Sequence, residues 1–147
     1  MTETIYHFIT HPLLLSVFWA WIAAQTIKVI VSSVNEKKIS LHRFIEPGGM
    51  PSSHAAAVVA LLTGVGIRQG VTSTLFIVTL VLALITIYEA IGVRRQSGRQ
   101  AELINELFRY LARRRSVKHQ LIEQLGHNPL EALIGCILGF FMALFWM

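Results

Sequence analysis

The sequence predicts an all-α protein, an integral membrane bundle of about four transmembrane helices together with a cytoplasmic amphipathic helix. Hydrophobic residues make up 54% of the 147 residues and charged residues 14%, and the mean hydropathy is +0.58. This composition is too apolar for a soluble domain, and several apolar runs approach the roughly 20 residues that cross a bilayer as a helix. A chain of this length has room for one domain, so residues 1–147 are interpreted as a single membrane domain.

The predicted spans are apolar runs that are separated by polar loops or tight connections. They cover residues 12–34, 51–67, 72–93 and 130–146. The second span is the least secure, because its short length leaves open whether it crosses the bilayer or re-enters it. Residues 1–11 are predicted to be a short polar end without the features of a removable signal peptide. Residues 94–124 combine apolar residues at helical spacing with many basic ones, which predicts an amphipathic segment on the membrane surface.

The basic residues fix the predicted topology. Eleven lysines and arginines lie in the two long loops, and only Arg68 lies on the opposite side. By the positive-inside rule, the long loops face the cytoplasm and both termini lie outside. The protein is therefore expected to be multi-pass, in the cell membrane if its source is a bacterium, with its polar site facing the cytoplasm. The net charge of +5 then reflects topology and anionic lipid rather than nucleic acid, since no aromatic residues interleave the basic ones.

The motif Gly-Gly-Met-Pro-Ser-Ser-His directly precedes the second apolar run. Glycines such as Gly49 let a ligand approach the backbone, and Pro51 suits the first turn of a helix. Ser52 and Ser53 can cap that helix or donate hydroxyls to a ligand. The free N–H groups of a helix N-terminus form an anion site, and His54 beside it can exchange a proton. An ordinary helix cap with a surface histidine explains this motif about as well.

Further polar residues lie within or next to the spans. Gln25 and Lys28 share one face of the first span, and a lysine inside a span usually faces protein or water, although snorkelling is the alternative. Arg94 and Arg95 follow the third span, with Glu89 about a turn earlier. An arginine fork suits a phosphate, whereas a stop-transfer cluster paired with the glutamate is the alternative, and the sequence does not decide which arginine binds.

A histidine and a glutamate, His127 and Glu131, lie four residues apart at the start of the last span. A carboxylate bonded to one ring nitrogen leaves the other nitrogen free to attack. The alternative is a helix-terminal histidine beside a solvated glutamate, but an unpaired carboxylate next to a span is costly. Together with the basic side chains, hydroxyls and His54, this pair fits phosphoryl transfer through a phosphohistidine.

No cofactor is expected, and no metal site is assigned. The chain has no aspartate and no clustered cysteine and histidine spacing, which argues against zinc. A divalent ion beside Glu89 or Glu131 stays open.

These motifs resemble the divergent type-2 phosphatidic acid phosphatase family, which is related to acid phosphatases and vanadium-dependent haloperoxidases. The resemblance covers almost the whole chain, and its parts are residues 25–28, 48–55, 88–105 and 125–139. The Gly-Gly-Met-Pro-Ser-Ser-His and Gly-Val-Arg-Arg elements are the most specific of these parts.

The resemblance implies a role for each matched residue. His54 would be the general acid, His127 the nucleophile and Glu131 the carboxylate that orients it, with Ser52 and Ser53 as oxyanion donors. The implied substrates are lipid phosphates or isoprenoid (pyro)phosphates. Membrane lipids are the other expected partners, nucleic acid is not expected, and a homo-oligomer is left open.

The chain also departs from the pattern of the parent superfamily. The usual Lys-six-Arg-Pro element is missing, with Lys28 as its favoured replacement and Arg43 as the rival. Arg94 and Arg95 lie far upstream of His127 instead of close to it. The alternative to a phosphatase is therefore a non-catalytic lipid-phosphate binder or transporter that retains the anion site. A purely structural membrane subunit is the third hypothesis.

Overall fold

The computed structural model describes residues 1–37, 44, 48–111, 121 and 126–147, and within them all regular structure is helical. The prediction of an all-α membrane bundle is therefore confirmed. The helices of the described residues are α1 Thr2–Ile9, α2 Pro12–Glu36, α3 Ser53–Gln69, α4 Thr74–Ile91, α5 Val93–Leu111 and α6 Pro129–Trp146.

Three stretches of the described chain are long and apolar enough to cross a membrane. They are Pro12–Val34 in α2, a window within Thr74–Tyr110, and Pro129–Trp146 in α6. The helix α3 corresponds to the second predicted span, but its 17 residues extend only ~26 Å at 1.5 Å per residue. That length is less than the roughly 30 Å thickness of the hydrocarbon core. The short length of α3 is therefore the physical reason why the sequence left open whether this span crosses the bilayer or re-enters it.

Small residues form the centre of the bundle. Helix α3 packs against α2, α4 and α6, and the buried cluster between these helices consists of alanines. Lipid is as apolar as the helices, so the hydrophobic effect does not drive their association in a membrane. Association depends on close van der Waals packing instead, and small residues let the helix backbones approach closely enough for it. Large apolar side chains such as Leu82, Ile85 and Phe141 point outward and are exposed, as expected for surfaces that face lipid.

The contact between α3 and α6 is the closest of these approaches. A Cβ atom on Gly135 would collide with the carbonyl oxygen of Ser52, and one on Gly139 would collide with that of Ala56. The Ser52 N–H also donates to the Glu131 carbonyl over 3.0 Å. These contacts fix the N-terminus of α3 beside that of α6.

Two local predictions differ from the structure. The N-terminal end is a helix, α1, instead of a short polar end, because Ile5, Phe8 and Ile9 recur at helical spacing; none of its residues is buried. Pro51 does not occupy the first turn of α3, because Ser52 is the N-cap and its hydroxyl accepts from the Ala55 N–H over 3.3 Å.

The predicted amphipathic segment is represented by α5, which follows α4 directly after Gly92. The side chain of Asn105 on α5 is buried and forms two hydrogen bonds with the backbone of Leu121. Its Nδ2 donates to the Leu121 carbonyl over 2.8 Å, and the Leu121 N–H donates to its Oδ1 over 2.9 Å. These two hydrogen bonds join Leu121, six residues before His127, to α5.

The replacement Gly139→Ala tests the close contact of α3 and α6. We expect it to lower the free energy of unfolding by about 1–3 kcal/mol, because the added methyl group overpacks a helix interface. Gly66→Ala is the matched control: it makes the same change in a helix, and its Cβ would lie 3.1 Å from the Phe76 ring rather than against backbone. Thermal and denaturant unfolding in detergent measure the difference, and equal stability of the two variants would contradict the contact.

Candidate functional site

The structure brings the predicted site residues to one cavity at the end of the bundle where α3 and α6 begin and α4 ends. The cavity has a volume of about 490 Å³ and is lined by residues of α2, α3, α4, α5 and the segment before α6. The lining includes seven residues that the sequence had singled out: Gln25, Lys28, Ser53, His54, Glu89, Arg94 and His127. Side chains from five parts of the chain therefore share one space.

The imidazole of His127 is held by Glu131. Its Nδ1 lies 3.1 Å from Oε2 of Glu131, and the same carboxylate oxygen accepts from the Asn128 N–H over 3.0 Å. The backbone N–H of His127 donates to the Ala90 carbonyl over 2.9 Å, which joins the backbone at His127 to α4. A carboxylate on Nδ1 fixes the tautomer of a histidine, so the arrangement favours a lone pair on Nε2.

Burial lowers the pKa of His127 below its ordinary value. The hydrogen bond and the charge of Glu131 act in the opposite direction, the Lys28 charge lowers the pKa further, and the Gly49 backbone raises it. The side chain is only 6% exposed. The lowered pKa favours the neutral imidazole, which is the form that a nucleophile requires.

Glycine at position 126 joins the His127 segment to α5. Gly126 has a φ of +85°, and a Cβ there would overlap the backbone of Arg94 and Arg95. Only a residue without a side chain fits both the positive φ and this approach. Arg94 and His127, which are far apart in the sequence, thereby line the same cavity.

The two arginines take different places. Arg94 lines the cavity, whereas Arg95 is not among the lining residues and contributes its backbone to the contact with Gly126. Of the pair that the sequence left undecided, Arg94 is the one placed to meet a ligand.

The two serines are also separated by the structure. Ser53 lines the cavity. Ser52 is fully buried, caps α3 through its hydroxyl and is not among the lining residues. At this point the cavity is therefore lined by Ser53 and by the start of α3, where the first N–H groups have no acceptor within the helix itself.

The cationic part of the cavity comes from α2 and α5. Lys28 is 3% exposed, and its aliphatic chain passes Gly49, where a Cβ would lie 3.2 Å from Cγ of the lysine. Gly49 thus leaves room for the side chain of Lys28. The neighbouring Gly48 lines the cavity. The rival cation, Arg43, lies outside the residues that the structure describes.

Several lining residues were not predicted, namely Trp21, Thr86, Ala90 and Ser97. Helical spacing could have found them. Trp21 lies four residues before Gln25, Thr86 three before Glu89, and Ser97 three after Arg94, so each shares a helix face with a residue already singled out.

Within the described part of the chain, no group of three or more histidine, cysteine, aspartate or glutamate side chains is placed to hold a metal ion.

The fold and the cavity define a helical membrane protein with two histidines, a lysine and an arginine around one polar site. Residues 9–142 match the model of the Divergent PAP2 family, and the chain belongs to this family. A similar relative is the uncharacterized membrane protein YuiD of Bacillus subtilis (strain 168), 40% identical over 143 residues, with 89% of this chain and 90% of the relative covered. No solved structure matches the chain. The family resemblance seen in the sequence is confirmed.

Replacing Glu131 by glutamine tests the geometry of the histidine. We expect the pKa of His127 to lie below 6.5 in the native protein and to fall further in Glu131→Gln, because a neutral amide no longer stabilises the imidazolium. NMR titration of histidine-labelled protein in detergent measures the pKa, with His127→Ala to assign the signal.

The lowered pKa of His127 also determines how its contribution to stability changes with pH. Unfolded His127 takes up a proton at a higher pH than folded His127, so its contribution to stability falls as the pH drops below the unfolded value. A pKa of His127 that does not change in Glu131→Gln would contradict the contact.

Proposed function

We propose that the protein is a membrane phosphatase that hydrolyses a lipid or isoprenoid (pyro)phosphate, with His127 as the nucleophile. The observation that carries this proposal is the position of His127, held by Glu131, in the same cavity as His54, Lys28 and Arg94. Family membership supports a phosphatase-related protein. Phosphoryl transfer requires mainly positioning and neutralised charge, and the cavity offers groups for both.

In the first step, Lys28, Arg94 and the N–H groups at the start of α3 bind the phosphate oxygens. The lone pair on Nε2 of His127 attacks phosphorus, and a P–N bond forms while the bond to the leaving oxygen breaks. His54 donates a proton to that oxygen, so the alcohol leaves neutral. Glu131 stabilises the positive charge that develops on the imidazole.

In the second step, water replaces the alcohol. His54, now without its proton, accepts one from the water, whose oxygen attacks phosphorus as the P–N bond breaks. Inorganic phosphate leaves and the imidazole of His127 returns to its neutral form. Each histidine thus reverses its own role between the steps: His54 changes from acid to base, and His127 from nucleophile to leaving group, with water as the only other reactant.

A lipid substrate is favoured by the surroundings of the cavity. Thr86 and Glu89 line it from α4, and the neighbouring side chains Leu82 and Ile85 on the same helix are exposed and apolar. A headgroup can enter the cavity while its chain stays in the hydrocarbon beside α4. The basic loops place this end of the bundle at the cytoplasmic face in our proposal.

A second candidate is a lipid-phosphate binder or transporter without turnover. The observation that favours it is the burial of Ser52, one of the two implied oxyanion donors, in the cap of α3. The anion site does not depend on this hydroxyl, whereas catalysis does depend on charge stabilisation in the transition state.

Matched leaving groups test the catalytic roles. Purified protein in detergent is expected to release phosphate from lipid phosphates, and His127→Ala is expected to abolish release from every substrate. His54→Ala should slow release from alkyl phosphates by about 10²–10⁴-fold. In the first step, the release of the alcohol, it should affect an aryl phosphate such as p-nitrophenyl phosphate far less, because that leaving group needs no proton. The second step, in which His54 is the base, should slow for both substrates.

The burst of alcohol or p-nitrophenol in the first turnover measures the first step, phosphate release measures the whole cycle, and Thr26→Val on the outer face of α2 is the control. Equal losses of the burst rate for both leaving groups in His54→Ala would contradict its role as the acid. Binding of lipid phosphate without release, lost in Arg94→Ala, would replace the enzyme by the binder.

Cysteine labelling tests the orientation. In a Cys136→Ala background, Arg99→Cys on α5 should be protected from an impermeant thiol reagent in intact cells, and Gln69→Cys at the end of α3 should react. Both positions are exposed in the structure, so access to the reagent depends on the side of the membrane. Reaction at position 99 from outside would overturn the cytoplasmic site.

A further inference from the structure

The amide of Gln25 is the least explained polar group of the cavity. Its side chain is 6% exposed and lines the cavity, and its Oε1 has no hydrogen-bond partner among the described residues. A buried acceptor without a donor is destabilising, so native structures rarely keep one without a reason. Neither step of the proposed reaction uses it.

The phosphate itself does not satisfy this oxygen. A phosphate dianion offers only acceptor oxygens, which suit Lys28, Arg94 and the N–H groups of α3. The carboxylate of Glu89 lines the same cavity from α4 and is likewise an acceptor. The cavity therefore presents a buried acceptor on Gln25 that needs a donor from some other part of a ligand, and beside it the exposed carboxylate of Glu89, which can accept from a cationic donor.

The volume leaves room for that part. At about 490 Å³ the cavity falls within the roughly 300–1,000 Å³ of small-molecule sites, which is more than a phosphate alone fills. The acceptors come from α2 and α4, and the donors that suit a phosphate come from α2, α3 and α5. A headgroup with a donor next to its phosphate matches both sets.

We propose that Gln25 and Glu89 are specificity-determining residues that recognise a hydroxyl or ammonium group carried by the substrate close to its phosphate. This inference rests on the proposed function, since it names the substrate class of the same site. It favours phosphate esters of polyols or amino alcohols over isoprenoid phosphates, whose hydrocarbon chains carry no such donor. The carboxylate of Glu89 suits the ammonium, and the neutral amide of Gln25 suits the hydroxyl.

Binding of three chain-matched alkyl phosphonates tests the inference independently of turnover. One is plain, one carries a hydroxyl on the second carbon from phosphorus, and one carries an ammonium group there. Competition against a fluorescent lipid phosphonate on the full-length protein in detergent measures their affinities. We expect the hydroxyl or the ammonium compound to bind about tenfold more tightly than the plain one, the size expected when a buried acceptor gains its donor.

Variants assign the preference to the two residues. Gln25→Leu, which has nearly the same volume, should remove the preference for the hydroxyl compound, and Glu89→Gln should remove that for the ammonium compound. Thr26→Val is the control, since Thr26 is exposed and its hydroxyl bonds to the Ile22 carbonyl; it should keep both preferences.

The outcomes separate the two proposals. Equal affinity of the three phosphonates, or a preference that survives both Gln25→Leu and Glu89→Gln, overturns the inference and leaves the phosphatase untouched. A preference that depends on these residues, in a protein that releases no phosphate, supports the inference and overturns the phosphatase. Failure of all three phosphonates to bind overturns both, because no anion site would then exist.

Discussion

The close approach of α3 and α6 is the constraint on which the rest of the structure depends. Gly135 and Gly139 place the backbone of α6 directly on the carbonyl groups of Ser52 and Ala56, and no larger residue fits between them. Because both helices begin at the same end of the bundle, their N-terminal N–H groups and dipoles point to one place. His54 in the first turn of α3 and His127 just before α6 face the same cavity for this reason.

Glu131 links the stability of this end of the bundle to its chemistry. Its carboxylate accepts from the Asn128 N–H at the start of α6 and holds Nδ1 of His127, while its carbonyl accepts from the Ser52 N–H of the neighbouring helix. One residue thus caps a helix, orients an imidazole and joins two helix starts. Capping by itself explains a glutamate at this position, so the contact with His127 is what relates Glu131 to the proposed phosphoryl transfer.

How much the sequence could predict depends on the range of the interaction. Apolar runs and local spacing identified α2, α4 and α6, and the pairing of His127 with Glu131 needs only four residues of helix. Ser53 and Arg94 line the cavity, whereas their neighbours Ser52 and Arg95 do not. This difference depends on packing between helices, which a local sequence pattern does not show. The sequence could not predict that Oε1 of Gln25 lacks a hydrogen-bond donor among the described residues. A sequence shows a polar residue in a span but not which atoms surround it.

The separation of Arg94 from His127 in the sequence illustrates why contacts matter more than sequence distance at such a site. In the parent superfamily that the sequence resembles, the arginine lies close before the histidine in the chain, whereas here more than thirty residues separate Arg94 from His127. The hydrogen bonds of Asn105 with the backbone of Leu121 join that residue to α5, and Gly126 lies against the α5 backbone at a φ that few other residues adopt. Arg94 and His127 therefore line one cavity because position 126, directly before the histidine, has no side chain to keep the backbones apart.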